Sequence, residues 1–437
     1  MTKAAARIGG GRRRIAVVGT GISGLLTARL LCRSHDVTVY EGDSRIGGHT
    51  HTVDVEVAGE KRAVDTGFIV FNDKNYPGLV RMLSQLGVGS RPTTMSFSVH
   101  CERTKLEYCG STINQLFAQR RNLVRPSFWG MVRDILRFHR EAPPLLASDR
   151  DPSMGEVLEQ GRYGRAFVDH YIVPMAAAIW SAEPQSILTM PARFLIQFFE
   201  NHGMLQVDGR PQWRTVLGGS RSYLEPLAAP FRDRVLTNAR VARVTRGADC
   251  VRIEAEGQPT REFDAVVMAS HSDQSLRMLA DASASERSVL AAVRYQKNDV
   301  VLHTDESLLP DRKLAWAAWN YRIPAKAQET VSVSYCMNHL QGFDGKTTYV
   351  VTLNQSPQID PKKILRTFVY DHPIFDRAAV DAQKLLPQTQ GENRVWFCGA
   401  WCGNGFHEDG VQSALAVCRD FGLSLDDLGP AAGVAAR

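Results

Sequence analysis

The segment Arg13–Gly48 has the sequence RRIAVVGTGISGLLTARLLCRSHDVTVYEGDSRIGG. Its residues Ile15–Val18 form a short run of apolar, mostly β-branched side chains, which predicts a buried parallel strand. Apolar residues then recur at helical intervals over Ile22–Arg33, and Val37–Tyr40 predicts a second strand that ends on Glu41. The segment therefore predicts the strand, helix and strand that begin an α/β fold.

The glycines between the first strand and the helix have the spacing GxGxxG, at Gly19, Gly21 and Gly24. Gly19 permits the tight turn, Gly21 lets the backbone approach a pyrophosphate, and Gly24 lets the helix pack closely on the sheet. The N-terminus of the helix offers unpaired N–H groups and a positive dipole end to phosphates. Glu41 lies 22 residues after Gly19, where a carboxylate accepts hydrogen bonds from ribose hydroxyls. These features predict a site for an adenine dinucleotide.

Two further glycine-containing segments distinguish between the possible dinucleotides. Arg45–Gly48 (RIGG) adds two glycines after the acidic residue, and Ala63–Phe71 (AVDTGFIVF) predicts a strand with a glycine at its centre. Backbone that returns to the cofactor in this way is expected for FAD lying extended along one domain. At these motifs the sequence resembles the flavin-containing amine oxidase superfamily. The resemblance implies a Rossmann-like FAD-binding domain of the glutathione-reductase type, joined to a discontinuous substrate domain with a mixed or antiparallel sheet plus helices.

A second cofactor motif lies in Val395–Val417 (VWFCGAWCGNGFHEDGVQSALAV), where an apolar strand ends in glycine and a glycine-rich loop precedes a helix expected to begin near Asp409–Val411. The resemblance implies that the strand glycine lies by the ribityl and phosphate groups. It also implies that the helix N-terminus stabilises negative charge on the reduced flavin ring. Superfamily members usually carry an acidic residue directly after the strand glycine. This chain has Ala400 there, so another residue or the backbone must contact the ribitol.

Both motifs contribute to the predicted FAD site, in which the cofactor is expected to be held without a covalent bond. Val241 is included because the resemblance implies a backbone contact between this position and the adenine end of FAD. The predicted FAD contacts are Gly19, Gly21, Ile22, Ser23, Gly24, Glu41, Gly42, Arg45, Gly47, Gly48, His49, Thr66, Gly67, Phe68, Ile69, Val241, Gly399, Gly405, Phe406, Asp409, Gly410 and Val411.

Length and composition set broad limits on the protein. A chain of 437 residues suggests two or three domains, and a net charge of +6 is too small to argue for nucleic acid binding. The eight cysteines include no CxxC pair, so we expect reduced cysteines in a cytoplasmic protein and no metal site. The sequence has no run of about 18 apolar residues, which predicts no transmembrane helix.

The segment Leu116–Leu146 combines arginines with apolar residues and has two interpretations. In one, it contains a helix that lies on an anionic membrane surface with its apolar face down, at the inner face of the membrane. In the other, it is a domain helix with one core face and one solvated basic face. Its arginines are Arg120, Arg121, Arg125, Arg133, Arg137 and Arg140.

Two apolar segments, Tyr171–Trp180 and Phe194–Phe199, predict helices that are buried on most sides. Their side chains belong either to the core or to the wall of a narrow apolar substrate tunnel. The tunnel candidates are Met175, Ile179, Trp180, Phe194 and Phe198.

Residues 290–385 contain alternating segments that predict a mostly antiparallel sheet over the flavin. The predicted strands are Asp299–His303, Leu314–Tyr321, Thr330–Met337 and Thr347–Leu353. The candidates for its substrate-facing side chains are Trp316, Trp319, Tyr321, Tyr335 and Asn338. Ordinary packing within the sheet is the alternative for each aromatic residue.

The expected domain organisation interleaves two domains. An FAD-binding domain comprises residues 13–75, 205–288 and 390–427, and a substrate domain comprises 76–204 and 289–389. Residues 1–12 and 428–437 are expected to be loose tails. The motifs WFCGAWCGNGFHEDG, SYCMNHLQ and YVVTLNQ narrow the resemblance to predicted FAD-binding proteins that are similar to the flavoprotein region preceding some cyclopropane fatty acid synthases. This implies a lipid acyl chain as substrate.

The sequence contains no HExxH motif, GxSxG motif or carboxylate pair, as expected if a flavin accepts the hydride. The resemblance suggests Lys297 as a lysine holding a water near the flavin, and Asn338, His407 and Glu408 complete the candidate catalytic residues. The leading hypothesis is an FAD-dependent oxidoreductase that dehydrogenates, saturates or isomerises an apolar, fatty-acyl substrate. One alternative is an FAD-dependent amine oxidase. The other is a non-catalytic flavoprotein partner of a lipid-modifying methyltransferase.

Overall fold

The computed structural model describes residues 11–206, 208–326 and 330–429. Most of the two expected tails, 1–12 and 428–437, therefore lies outside the described residues. At their inner edges, Arg12 pairs with Asp36, and Leu428 is buried with its carbonyl accepting a hydrogen bond from Arg29. The packed part of the chain thus reaches into both segments.

The strands of the described residues are β1 Arg14–Val18, β2 Asp36–Tyr40, β3 Thr52–Val57, β4 Glu60–Asp65, β5 Phe71–Asn72, β6 Ser90–Thr93, β7 Phe97–Cys101, β8 Leu106–Cys109, β9 Trp213–Val216, β10 Val235–Leu236, β11 Val241–Arg246, β12 Val251–Ala255, β13 Arg261–Phe263, β14 Ala265–Met268, β15 Arg294–His303, β16 Trp319–Ile323, β17 Val333–Cys336, β18 Val350–Leu353, β19 Ile364–Ile374 and β20 Val395–Phe397. The α-helices are α1 Ile22–Leu31, α2 Pro77–Gln85, α3 Ile113–Leu116, α4 Pro126–Glu141, α5 Met154–Gln160, α6 Arg165–Phe167, α7 Val173–Trp180, α8 Pro184–Thr189, α9 Ala192–Asn201, α10 Leu224–Ala228, α11 Ser272–Met278, α12 Ala284–Ala292, α13 Met337–Gln341, α14 Arg377–Leu385 and α15 His407–Asp420.

A parallel five-stranded sheet forms the centre of the fold, with strand order β10-β2-β1-β14-β20. Ile15, Ala16 and Val17 on β1 are fully buried, because their side chains project alternately into cores on the two faces of the sheet. α1 and α15 pack together on one face, and β11, β12, β13 and α12 cover the other. The predicted βαβ unit and the return of the VVMA strand to this sheet are confirmed.

The segment predicted as one strand over Ala63–Phe71 is interrupted in the structure. β4 ends at Asp65, and β5 begins only at Phe71. Between them the backbone crosses the loop after β2, where the N–H groups of Thr66 and Phe68 donate to the carbonyls of His51 and His49. A Cβ on Gly67 would lie 2.1 Å from the carbonyl oxygen of His49, so this crossing requires glycine.

A seven-stranded sheet has the order β19-β15-β18-β17-β16-β7-β8. All its pairings are antiparallel except that between β7 and β16, which confirms the expected mostly antiparallel sheet. β15 is longer than predicted, beginning at Arg294, and pairs along most of its length with β19. The helices α3–α9 pack on this sheet in one hydrophobic core. None of the described helices is long and apolar enough to cross a bilayer.

A π-helical turn at Val168–Ile172 lies between α6 and α7. Its cause is Pro174, which has no N–H to donate to the carbonyl of His170 and so cannot continue a regular α-helix there. The hydroxyl of Tyr108 donates to that carbonyl instead, at 2.7 Å. The irregular turn is therefore satisfied by a side chain from the seven-stranded sheet.

His303 at the end of β15 provides a test of the fold that is distant from the cofactor motifs. Its Nδ1 accepts a hydrogen bond from the N–H of Asp305 at 3.0 Å, and its Nε2 lies 2.7 Å from Thr352 Oγ1. Burial lowers the pKa of His303 to about 4. In the unfolded chain the same group titrates near 6.5.

Because the unfolded state binds this proton more readily, the contribution of His303 to stability is complete above pH 6.5 and is lost as pH falls toward 4. A His303→Asn variant, whose amide oxygen can still accept from Asp305, lacks this titration. We expect the stability advantage of the wild-type protein over this variant to shrink by about 1.4 kcal/mol per pH unit in that window. Denaturant unfolding at a series of pH values measures it, and a constant advantage would contradict the assignment.

Candidate active site

One elongated cavity of about 1000 Å³ runs from the carboxyl ends of β1 and β2 to the seven-stranded sheet. Its volume is at the upper end of the range typical for ligand sites. The carboxyl ends of parallel strands are where open α/β sheets bind ligands. The walls include the turn after β1, the loop after β2, the start of α15, and α7 and α9.

The N-terminus of α1 faces the cavity without a side-chain cap. Its N-cap residue is Gly21, whose backbone lines the cavity, and a Cβ built on Gly21 would meet nothing within 4 Å. The first turn carries no acidic residue that could compete for its N–H groups. The result is an open, positively polarised helix end with space in front of it, as an anionic pyrophosphate requires.

Glu41 at the end of β2 is held by backbone donors. Its carboxylate accepts hydrogen bonds from the N–H of Thr20 at 3.1 Å and the N–H of Asp43 at 2.9 Å, and also contacts the Thr20 hydroxyl. Arg45 donates to the carbonyls of Gly48 and Thr50, at 2.8 and 3.2 Å, and lines the cavity beside this carboxylate. A fixed carboxylate and a cation next to the helix end suit a ribose and a phosphate.

The start of α15 forms an adjacent part of the wall, next to the first turn of α1. His407 stacks on Phe68 with ring centroids 3.6 Å apart, and its Nε2 lies 3.0 Å from Thr50 Oγ1 and 3.2 Å from the Tyr223 hydroxyl. Burial lowers the pKa of His407 to about 3, so the ring is neutral near neutral pH. Asp409 accepts from the N–H of Phe406 at 2.9 Å, which closes the first turn of the helix.

Most of the predicted FAD contacts line this cavity. Gly24, Asp409, Gly410 and Val411 lie behind its wall instead. Gly24 and Gly410 permit close packing, since a Cβ there would lie 2.0 Å from the Gly19 carbonyl oxygen and 2.7 Å from Ile22 Cγ2, respectively. The predicted contacts in the lining are Gly19, Gly21, Ile22, Ser23, Glu41, Gly42, Arg45, Gly47, Gly48, His49, Thr66, Gly67, Phe68, Ile69, Val241, Gly399, Gly405 and Phe406, together with the candidate catalytic residue His407.

The other candidate catalytic residues lie outside the cavity lining. Glu408 accepts from the N–H groups of Gly78 and Leu79, at 3.0 and 2.9 Å, and so caps α2. Asn338 bonds the carbonyls of Phe343 and Thr347 and the N–H of Tyr349, bracing a turn. Lys297 is an exposed residue of β15, opposite Asp371 on β19. Glu408 and Asn338 thus have structural roles outside the cavity.

The cavity lining also contains a group of histidines and tyrosines. Of these, only His49 was predicted from the sequence. The ring of His49 lies 5.2 Å from that of Tyr370 and 5.3 Å from that of His372, and His271 stacks on Tyr295 at 4.4 Å. Burial lowers the pKa of His49 well below its ordinary value and that of His372 to about 4. The detectable signal is the aromatic-rich segment Phe368–His372 of β19, since all five of its residues line the cavity.

The far end of the cavity is apolar and aromatic. Trp180, Trp319 and Tyr335 line it as predicted substrate contacts, and Met175, Ile179 and Phe198 line it as predicted tunnel residues. Phe198 lies 5.1 Å from the ring of Phe406 and 4.9 Å from that of Trp180, so the aromatic wall continues from the start of α15.

Three aromatic candidates lie outside the lining. Phe194 packs on Phe375 behind the wall, with ring centroids 5.2 Å apart. Tyr321 is buried in the core near Phe97, and Trp316 donates through Nε1 to the carbonyl of Pro310 at 2.7 Å. Trp319 and Tyr321 lie two positions apart and therefore on the same side of β16, but the cavity covers only the part of the sheet at Trp319. Strand pattern alone does not reveal where a cavity ends.

These residues fit FAD. An adenosine and a pyrophosphate fit the open end of α1, the fixed carboxylate of Glu41 and the glycines of the turn after β1. From there the cavity extends past Gly399 and the start of α15 toward its apolar end. The fold and site define a flavin-binding protein. The sequence profile of the family described as flavin containing amine oxidoreductase matches residues 22–313, and the chain belongs to this family. The description of the family agrees with the fit of the site to FAD.

Individual relatives show how far the similarity reaches. The chain is 27% identical over 266 residues to a Mycobacterium tuberculosis protein named as a flavin-containing monoamine oxidase, AofH, covering 57% of this chain and 55% of that one. It thus spans about half the length of the curated relatives it matches. Its fold is similar to those of the fatty acid isomerase of P. acnes (15% identity, TM-score 0.66, 94% and 98% of the chains) and cyclohexylamine oxidase of Brevibacterium oxydans (14%, 0.66, 94% and 100%).

Gly21 and Gly24 form a matched pair for testing the cofactor site. Valine at position 21 would project into open space in front of the helix end, whereas valine at position 24 would collide with backbone. We expect Gly21→Val to fold like the FAD-free wild-type protein but to bind FAD at least about ten-fold more weakly, which is 1.4 kcal/mol. Gly24→Val should lose stability by about 1–3 kcal/mol or more even without FAD.

Flavin absorbance during titration of the apoprotein measures the first effect, and thermal unfolding of the apoproteins measures the second. Equal FAD affinity for wild type and Gly21→Val would refute the placement of the pyrophosphate at Gly21.

Proposed function

We propose that this enzyme oxidises or isomerises a fatty-acyl chain bound in the apolar end of the cavity. The observation that carries this proposal is the lining there. It consists largely of apolar and aromatic side chains, and its one charged side chain in the described structure is Arg210. An acyl chain gains free energy by leaving water along such walls, at about 0.8 kcal/mol for each buried methylene. The similarity of fold to a fatty acid isomerase is compatible with this substrate.

FAD, when bound, supplies a hydride acceptor. The protein then has to hold a C–H bond of the acyl chain against the flavin and exclude water. Phe198, Phe406 and Trp180 form a continuous aromatic wall that does both. The buried histidines near the cofactor are neutral because their pKa values are depressed. They therefore add no positive charge that would hold water in the site.

Arg210 is placed to bind the head group of the substrate. It is exposed, lines the far end of the cavity, and donates through Nε to the carbonyl of Gln206 at 3.3 Å. Its positive charge helps to lower the pKa of His139, whose ring lies 3.3 Å from the Tyr171 hydroxyl in the same wall. Within the described residues Arg210 has no ion-pair partner. A carboxylate or phosphate at the end of an acyl chain would supply one.

An amine substrate is the second candidate function, supported by the family and by the names of AofH and cyclohexylamine oxidase. The charge distribution argues against a cationic amine. The acidic residues in the lining are Glu41 and Asp43, next to the turn after β1, and Asp371, whose charge acts on His271. No carboxylate faces the apolar end within the described lining, and Arg210 would repel an ammonium group.

Anaerobic mixing of the holoenzyme with candidate substrates tests the proposal. We expect fatty acids or acyl lipids, and not alkylamines of matched chain length, to bleach the flavin absorbance or to be recovered with an altered double bond. Product analysis is needed because an isomerisation returns the flavin to its oxidised form. Bleaching by amines alone would establish the amine oxidase alternative.

Arg210→Gln tests the binding of the head group. We expect about a ten-fold rise in KM for an acyl substrate with an anionic head group, equivalent to about 1.4 kcal/mol, with little change in kcat. A neutral acyl amide should show a much smaller change. Arg287→Gln is a matched control, because Arg287 is an exposed arginine on α12, on the other face of the parallel sheet. Equal effects on the anionic and neutral substrates would contradict the role of Arg210.

A further inference from the structure

Exposed apolar side chains are concentrated in one segment of the surface. Nine large apolar side chains are exposed in the described residues, and five of them lie between positions 113 and 136. Val124 is the most exposed at 83%, followed by Ile113 at 79%. Scattered single residues of this kind are ordinary, but a cluster marks a contact site. The five are Ile113, Leu123, Val124, Trp129 and Leu136.

The same segment is strongly basic. Residues 113–140 contain six arginines and one acidic residue, Asp134. Asp134 is buried, accepts from the N–H of Gly164 at 2.8 Å, and lies near Arg137. Arg120, Arg121 and Arg125 have no ion-pair partner in the described structure and contact only neutral oxygens. Their charge is therefore not neutralised by the protein.

A neighbouring hairpin turn extends this basic apolar surface. Arg121 and Arg125 donate to the carbonyls of Lys105 and Thr104, between β7 and β8. Arg103 and Lys105 on the turn are exposed. The basic apolar surface is defined here as Arg103, Lys105, Ile113, Arg120, Arg121, Leu123, Val124, Trp129, Arg133 and Leu136.

The core face of α4 does not account for these residues. Phe128, Met131 and Phe138 are buried in the main hydrophobic core and form that face. Trp129 and Leu136 lie elsewhere on the same helix, at 47% and 55% exposure. The structure thus shows the core-facing helix of the second interpretation, and α4 in addition carries exposed apolar side chains among its arginines.

The far end of the cavity opens next to this surface. Gly110 and Ser111 line the cavity, are exposed, and directly precede α3, which begins at Ile113. On the other side, His139 of α4 contacts Tyr171 in the cavity wall. A molecule lying against the basic apolar surface would therefore have a short path into the apolar end of the cavity.

We propose that the basic apolar surface docks the enzyme on a bilayer containing anionic lipids, with the cavity mouth facing the membrane. The proposal rests on the proposed function, since an acyl substrate is stored in the bilayer. Apolar side chains inserted among the acyl chains and arginines at the level of the phosphates both stabilise the docked state. Trp129 suits the interface because its half-exposed indole presents an apolar ring while its N–H is satisfied by the carbonyl of Leu123 at 2.9 Å. The interleaved arginines and apolar side chains match the boundary between the lipid head groups and the acyl chains.

Vesicle sedimentation of the FAD-loaded enzyme tests the docking. We expect binding to vesicles of phosphatidylcholine mixed with phosphatidylglycerol, at least ten-fold weaker binding to phosphatidylcholine alone, and weakening with added salt. Two double variants should each reduce the binding at least ten-fold: Val124→Ser with Leu136→Ser, and Arg121→Gln with Arg133→Gln. Leu385→Ser and Arg287→Gln are the matched controls, because both residues are exposed outside this surface.

Unchanged binding by both double variants, equal loss in the controls, or no vesicle binding by the wild type would overturn the proposal. Sedimentation velocity without lipid tests the alternative that a second copy of the chain binds this surface. A wild-type dimer that the Val124→Ser, Leu136→Ser variant converts to a monomer would show that a second copy of the chain covers it. Flavin content and circular dichroism equal to wild type establish that the variants are folded.

A detergent-dispersed acyl substrate separates the two proposals. Turnover of this substrate by the wild type and both double variants, without vesicle binding, would leave the proposed function intact and refute the docking. Vesicle binding that follows the expected pattern, with no acyl compound transformed, would refute the acyl substrate while the docking surface stands.

Discussion

The close approach between α1 and the turn after β1 determines where everything else in the cofactor site can lie. Gly24 sits against the Gly19 carbonyl at a distance that leaves no room for a side chain. This contact fixes the helix so that its N-terminus opens at the end of the parallel sheet with its N–H groups free. Glu41 on the adjacent strand then faces the same opening, held by the N–H of Thr20 in the turn itself. A few backbone contacts therefore position both the phosphate and ribose ends of the site.

Buried hydrogen bonds connect this turn region to the rest of the enclosure. Asp65 at the end of β4 accepts from Thr52, from both the N–H and hydroxyl of Ser220, and from Gln341 on α13. These partners come from three distant parts of the sequence, so one carboxylate joins the cofactor loops to the seven-stranded sheet. Around the cavity, burial lowers the pKa values of His372 and His407, so both rings are neutral, and Arg210 is the one charged side chain at the apolar end within the described lining. The charge distribution of the site follows from this pattern of burial.

The parts of the site that could be predicted from sequence are those with local causes. Gly19, Gly21 and Glu41 act within one βαβ unit, where spacing alone determines geometry, and all three line the cavity. Glu408 could not be assigned in this way, because its partner at Gly78 is 330 residues away and only the fold shows that the carboxylate caps α2. The break after Asp65 could not be predicted for a similar reason, because Gly67 is also compatible with an unbroken strand and only the fold shows which loop the backbone crosses there.

The order of the chain sets when the cofactor can be enclosed. β20 completes the parallel sheet and α15 forms one wall of the cavity, yet both lie in the last tenth of the sequence. α2, which follows the first cofactor motif, also receives its cap from Glu408. A ribosome-bound chain that has emerged only as far as β19 thus has the pyrophosphate turn but neither the wall formed by His407 nor the capped α2. Enclosure of FAD therefore requires that the chain has been synthesised through α15.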